Sequence, residues 1–150
     1  MDWQQNISDL NWVAVLVATL SSFAVGYVWY HWSVFGEKWA KLVGMSKKEM
    51  DSSDGMGKVF LMTGIQAFVS CVALGALLLA TSTEGWTSGL VFGAVLGFAF
   101  RFGSHVMHNG FAHRSNDLTW IDGAHDVVAM AVAGAILGAR STTGRTARPA

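Results

Sequence analysis

The sequence predicts an all-α fold, an integral membrane four-helix transmembrane bundle, and three observations carry that reading. Of 150 residues, 52% are hydrophobic and only 13% are charged, whereas a soluble domain carries about 25% charged residues to cover its surface. Four apolar stretches approach the roughly 20 helical residues needed to cross a hydrocarbon layer about 30 Å thick. Aromatic rings gather at the ends of those stretches: Trp3 and Trp12, then Trp29, Tyr30, Trp32 and Trp39, then Trp86 and Trp120. That is the distribution of a headgroup belt. The chain length suits one compact unit. With no internal repeat or domain boundary, residues 1–140 are expected to form a single domain.

The first span is expected over about residues 11–32, with Asn11-Trp12 at its start and no charged side chain inside. No basic residue precedes it, and it is too long for a signal-peptide core, so it reads as a retained anchor. The loop that follows mixes Lys38, Trp39 and Lys41 as a short interfacial helix would. Ser46-Lys47-Lys48-Glu49 fits a capping box. The second span, about 59–80, is uncharged, with Thr63, Gln66 and Ser70 as its notable polar residues. Cys71, the only cysteine, excludes an intramolecular disulfide and reads as a small packing residue.

Spans three and four, about 88–108 and 120–139, reach full length only if each carries charge into the membrane zone. The alternative is that both are re-entrant or peripheral. Gly89, Gly93 and Gly97 give two consecutive GxxxG spacings on the third span, and Gly134 and Gly138 another on the fourth. Smooth faces of this kind let helices approach closely, either with each other or with another subunit of a homo-oligomer. The tail, 141–150, is small, polar and basic, and is expected to be disordered.

Orientation follows the basic loop residues. Lys38, Lys41, Lys47, Lys48, Lys58 and Arg114 lie on one side, against Arg140, Arg145 and Arg148 on the other. Both termini are therefore expected outside and both basic loops in the cytoplasm. The expected location is a bacterial inner membrane, with the lipid bilayer as first partner. A net charge of zero gives no support to a nucleic-acid partner.

The informative region is Arg101–Asp126. Arg101, His105 and His108 share one face of the third span, and Asp122, His125 and Asp126 have similar spacing on the fourth. Arg101 lies thirteen residues after Ser88 and Asp126 thirteen before Ala139. Each is thus about 20 Å from the outer end at 1.5 Å per residue. An antiparallel hairpin would bring Arg101 to Asp126 and His105 to Asp122. A lone charge in the membrane costs several kcal/mol, so these groups should face partners or water. Three readings follow: an ion-pair network that fixes the hairpin, a water-accessible cavity that binds or relays a small solute or ion, or a segment that emerges into water. Together the six residues form the candidate binding site.

A metal site would draw on His105, His108, Asp122 and Asp126, with His113 and His125 as further donors. Such mixed His/carboxylate shells suit zinc or iron. Arg101 would place a positive charge beside that cation, and no HExxH or multi-Cys pattern supports it. His31, among Trp29, Tyr30 and Trp32, reads as an interfacial side chain. No phosphate-binding glycine loop, dinucleotide fingerprint or nucleophile elbow is present. No arrangement singles out a nucleophile, so an enzyme is not the leading expectation.

Asn11-Trp12, Trp29-Tyr30 followed by Phe35-Gly36 and Trp39, then Phe111, Trp120-Ile121-Asp122-Gly123 and Gly134-Ala135-Ile136-Leu137-Gly138 carry a resemblance. In these residues, which run over nearly the whole chain, the sequence resembles domain-of-unknown-function (DUF) family 1761, small bacterial proteins with four predicted membrane spans. The resemblance implies the architecture and no activity. The leading functional expectation from the residues is a small oligomeric transport or channel-type protein. The alternatives are a structural or regulatory subunit binding a larger partner through Lys38, Trp39 and Lys41, and a membrane-embedded metal-dependent enzyme.

Overall fold

The computed structural model describes residues 3–52 and 55–145, with side chains through residue 139. Among these residues every regular element is helical. Four helices are long and apolar enough to cross a membrane: Trp12–Trp29, Gly57–Ala80, Trp86–Phe111 and Asn116–Ala139. In chain order the elements are α1 (Trp3–Ser8), α2 (Trp12–Trp29), α3 (Glu37–Val43), α4 (Lys47–Asp51), α5 (Gly57–Ala80), α6 (Trp86–Leu96), α7 (Gly103–Phe111) and α8 (Asn116–Arg145). A π-helical turn, Gly97–Phe102, joins α6 to α7 so that the third span is one continuous helix. It carries Arg101 and His105 within its length.

Local chemistry sets the boundaries. The Asn11 side chain accepts from the Ala14 amide at 3.0 Å, capping α2. After Tyr30 the chain turns extended at His31 and enters a second π-helical segment, Trp32–Gly36, so the first span ends earlier than residue 32. Only glycine fits at position 36, where a Cβ would strike the Tyr30 carbonyl. Gly44, with φ of 77°, closes α3 in the left-handed region. The capping box opens α4 as the sequence predicts. The Ser46 hydroxyl and amide hold the Glu49 carboxyl below the usual glutamate range. At the far end α8 continues to Arg145. The expected disordered tail thus begins inside a helix, and residues 146–150 lie outside the described residues.

The bundle is apolar outward and small inward. Leu16, Leu20, Val95, Phe98 and Phe100 are exposed, while Ala14, Ala18, Gly89, Gly93 and Ala133 are buried. Water would penalise that surface by about 25 cal/mol for each Å² of apolar area; lipid tails do not. Helix α8 is central, packing against α2, α5, α6 and α7. Its closest neighbour is α6. Cβ atoms at Gly89 and Gly134 would each strike the other's backbone carbonyl, and one at Gly93 would strike that of Met130. The glycine faces therefore join spans three and four within one chain. The Gly85 amide donates to the Gly138 carbonyl at 3.1 Å, tying the end of this seam.

Helix α5 is held at one end only. Its second half joins a core of Val15, Ala18, Cys71, Leu74, Leu78 and Leu137, and Leu10 packs over Gly75. Its first seven residues, 57–63, are all exposed. A splayed helix leaves a wedge of space at the basic-loop end of the bundle.

Gly93→Ala is expected to destabilise the protein by about 1–3 kcal/mol through overpacking against the α8 backbone. Gly110→Ala, which meets nothing within 4 Å, should leave stability unchanged or raise it by up to about 1 kcal/mol. Thermal unfolding of both variants in detergent checks the pair.

Candidate functional site

The seam between the third span and α8 determines which polar groups meet. At its inner end the π-helical turn Gly97–Phe102 takes one residue more per turn than an α-helix. Gly97 opens that turn against the α8 backbone, where an added Cβ would lie 3.0 Å from Val127 Cα. Phe102 closes it, seated on Gly123, where no Cβ would fit, and edge-on to Trp120 at 4.9 Å. Arg101 lies between these anchors. Its Nε donates to Asp126 Oδ2 at 3.0 Å, the pairing that equal depth predicts.

His105 also reaches Asp126 Oδ2, at 3.2 Å, which corrects the expected pairing with Asp122. Side chains lean toward the N-terminus of their helix. On antiparallel helices His105 and Asp126 therefore lean toward each other, whereas Asp122 leans away toward the basic loops. There Asp122 Oδ1 accepts from Tyr30 Oη at 2.8 Å and from Trp39 Nε1 at 3.0 Å. His125 completes the cluster, with Nδ1 3.0 Å from Asp126 Oδ1. An ionised carboxylate only accepts, so the histidine nitrogens that face it carry the protons. His125 Nε2 lies buried toward Gly26 with no hydrogen-bond partner among the described residues.

The aromatic residues at the end of α2 hold this assembly from the other side. Trp29 Nε1 donates to the Ile121 carbonyl at 3.0 Å, and Phe35 packs on Trp29 with ring centroids 4.8 Å apart. Tyr30 packs on His125 at 5.1 Å and on Trp39 at 5.5 Å. Trp29, Tyr30 and Trp39 look like belt residues in the sequence, and their role as partners of Ile121 and Asp122 is not legible there. One signal did point to them. Trp29-Tyr30, Phe35-Gly36 and Trp39 carry the same resemblance as Trp120-Ile121-Asp122-Gly123, and the structure packs these two distant groups together. Lys38 adds an exposed ion pair to Asp117 at 2.8 Å.

Of the six candidate binding residues, the structure gathers Arg101, His105, His125 and Asp126 around one carboxylate. Asp122 belongs to the aromatic clamp, and His108 is exposed on the outer face of α7. The four residues read as a metal set are thereby divided. Among the described residues no group of three His, Cys, Asp or Glu side chains is placed to hold a metal ion. His113 is exposed in the turn after α7.

Between α2, α5 and α8 lies a cavity of about 980 Å³, the space left by the splayed half of α5. Arg101, His125 and Asp126 form part of one wall. Ser22, Thr63, Gln66 and Ser70 contribute polar atoms elsewhere, and Cys71 and Ala133 mark the floor where the core begins. Lys47, Met50 and Asp51 of α4 stand at the basic-loop mouth. Lys47 is held there over the Trp32 ring, 5.5 Å from its centroid. The chain thus holds a polar wall at membrane depth beside a space large enough for a small organic molecule.

Arg101→Ala removes a charged hydrogen bond from a mostly buried carboxylate and is expected to cost about 1.5–3 kcal/mol. Arg101→Gln combined with Asp126→Asn should cost less than the sum of the single changes, with a coupling of about 1–3 kcal/mol. Tyr30→Phe should cost about 1–2 kcal/mol by removing one donor from Asp122. Chemical denaturation in detergent measures all of these.

Neither the curated proteins nor the solved structures contain a match to this chain. The model of the family described as "Protein of unknown function (DUF1761)" matches residues 13–138, a range that takes in all but the first residue of span one and the last of span four, and every residue of the site. The chain therefore belongs to the DUF1761 family.

Proposed function

We propose that the protein is a small-solute transport protein of a bacterial inner membrane, which binds its solute in the cavity between α2, α5 and α8. The observation that carries this reading is the cavity itself. It is about 980 Å³, walled by Arg101, His125 and Asp126, and closed by the Cys71–Ala133 core. A mouth on one side, a floor near mid-membrane and polar groups between them are the parts of one inward-facing state. The basic loops support a cytoplasmic position for that mouth.

The wedge shape supports a moving part. Helix α5 is anchored by small-residue packing at its outer end and free at its inner end, so a rocking motion about Cys71 and Leu74 would change access without breaking the α6–α8 seam. An oligomer, if that is the working unit, would have to assemble through the lipid-facing surfaces of the bundle, since the glycine faces are used internally. The reading as a partner-binding subunit gains less support. Lys38, Trp39 and Lys41, its candidate contact residues, pair within the chain with Asp117, Asp122 and Glu37.

The test is solute-driven current from proteoliposomes on a solid-supported membrane, screened with organic anions, organic cations, amino acids and pH steps. Ala67→Trp places a ring in the cavity from the splayed wall, where there is room for it. Wild-type protein is expected to give currents for at least one class, and Ala67→Trp to reduce them about tenfold or more while circular dichroism is unchanged. Folded wild-type protein that moves none of the classes overturns the reading, as does an Ala67→Trp variant with undiminished flux.

A further inference from the structure

The cavity wall is not neutral in what it has left to offer. Asp126 is 12% exposed and already accepts from Arg101, His105 and His125. A carboxylate has about four lone-pair sites, so little of its capacity remains. Arg101 is 37% exposed and lines the cavity. It meets Asp126 through Nε alone, and its two terminal nitrogens make no hydrogen bond to that carboxylate. Those nitrogens are the pair that grips a carboxylate or phosphate in bidentate fashion. The surplus at this wall is therefore of hydrogen-bond donors carrying positive charge. A second cation, Lys47, stands at the mouth. The same cavity has an apolar lining of Phe23, Phe60, Ala67, Ala129 and Met130, with neutral polar groups at Ser22, Thr63, Gln66 and Ser70.

We infer that the site takes an amphipathic organic anion, its carboxylate or phosphate head on the terminal guanidinium nitrogens of Arg101 and its apolar body between α2 and α5. This inference rests on the transport reading for its setting and names the solute class for that cavity. Asp126 then acts as the positioning residue. It fixes the guanidinium through Nε, and it lowers the charge of the empty site so that Arg101 can stand at membrane depth. An organic cation fits poorly beside Arg101, because the carboxylate there, Asp126, is consumed by three donors, and the other lining carboxylate, Asp51, stands at the mouth beside Lys47.

The same head chemistry is available from a free metabolite or from an anionic lipid at the membrane-facing side of α5, and the experiment separates them. Binding is measured by equilibrium dialysis to protein in phosphatidylcholine nanodiscs, with 2-naphthoate, 2-naphthamide and 2-naphthylmethylammonium as matched probes. Naphthoate is expected to bind about tenfold or more tighter than the other two, the equivalent of one charge-assisted contact. Asp126→Asn should tighten naphthoate binding by several-fold, because it removes the neutralising charge and keeps a hydrogen-bonding side chain. A purely structural role for the pair would weaken binding instead. Arg101→Gln with Asp126→Asn, verified as folded by its unfolding curve, should lose at least about tenfold of naphthoate affinity.

Equal binding of the three probes, preference for the ammonium, or wild-type affinity in the folded double variant overturns the inference. Phosphatidylglycerol added to the nanodiscs identifies the source. If naphthoate affinity falls beyond the repulsion seen in protein-free discs, the natural occupant is a lipid headgroup; if it does not, the occupant is a free anion, and the Arg101 site stands in both cases. Tight naphthoate binding with no flux in proteoliposomes sinks the transport reading and leaves the anion site. Flux of cations blocked by Ala67→Trp does the reverse.

Discussion

The close backbone approach of α6 and α8 is the constraint on which the rest of the structure depends. Lipid tails give no hydrophobic reward for bringing helices together, so a membrane hairpin is held by direct contact and by polar bonds. Here both are present on one line. Gly89, Gly93 and Gly134 let carbonyls approach to where any Cβ would intrude. The Gly85–Gly138 hydrogen bond closes one end of the seam, and the Arg101–Asp126 ion pair closes the other. At this separation the two charges meet directly, which offsets the several kcal/mol that either would cost alone at that depth. The ion pair and the glycine faces thus stabilise the same register.

A second set of contacts positions α2 against this hairpin. Trp29, Tyr30 and Trp39 each carry one N–H or O–H, and each finds an acceptor on a single turn of α8, at Ile121 and Asp122. Their rings shield His125 from the headgroup side, while Gly26 brings the α2 backbone next to its free nitrogen. With α2, α6 and α8 joined in this way, α5 has only half of its length to pack. The small residues around Cys71, Ala14 and Ala18 draw its outer half in. Its inner half, with Phe60, Leu61 and Met62 exposed, stays apart and leaves the cavity.

The pairing of Arg101 with Asp126 was legible in the sequence because depth along a helix is proportional to residue number. The same count failed for His105. It treats each side chain as standing level with its own Cα, and the lean of the Cα–Cβ bond shifts antiparallel partners in opposite directions by a fraction of a turn. That fraction separates His105 from Asp122 and gives it to Asp126. It also explains why the metal set dissolves, since Asp122 points out of the cluster and toward Tyr30. The aromatic clamp is not legible in the sequence for a different reason. An amphipathic ring at a span end satisfies its polar tip equally well with water, a headgroup or a carboxylate, and nothing in residues 29–39 says which it will be.

What the sequence by itself determined is whatever depends on length and local composition: four spans, their boundaries to within a few residues, the capping box, and the glycine rows with the charge pair that belongs to them. Those properties are additive along a helix, so they can be read one residue at a time. The tertiary structure alone decided that the glycine faces meet within one chain, that Asp126 gathers three donors while Asp122 joins the aromatic clamp, and that α5 leans away to open a cavity beside Arg101. Each of these is set by the angle and distance between helices far apart in the chain. Where lipid solvates every outward face equally well, no local pattern of apolar residues records which neighbour a helix will touch or where it will leave a gap.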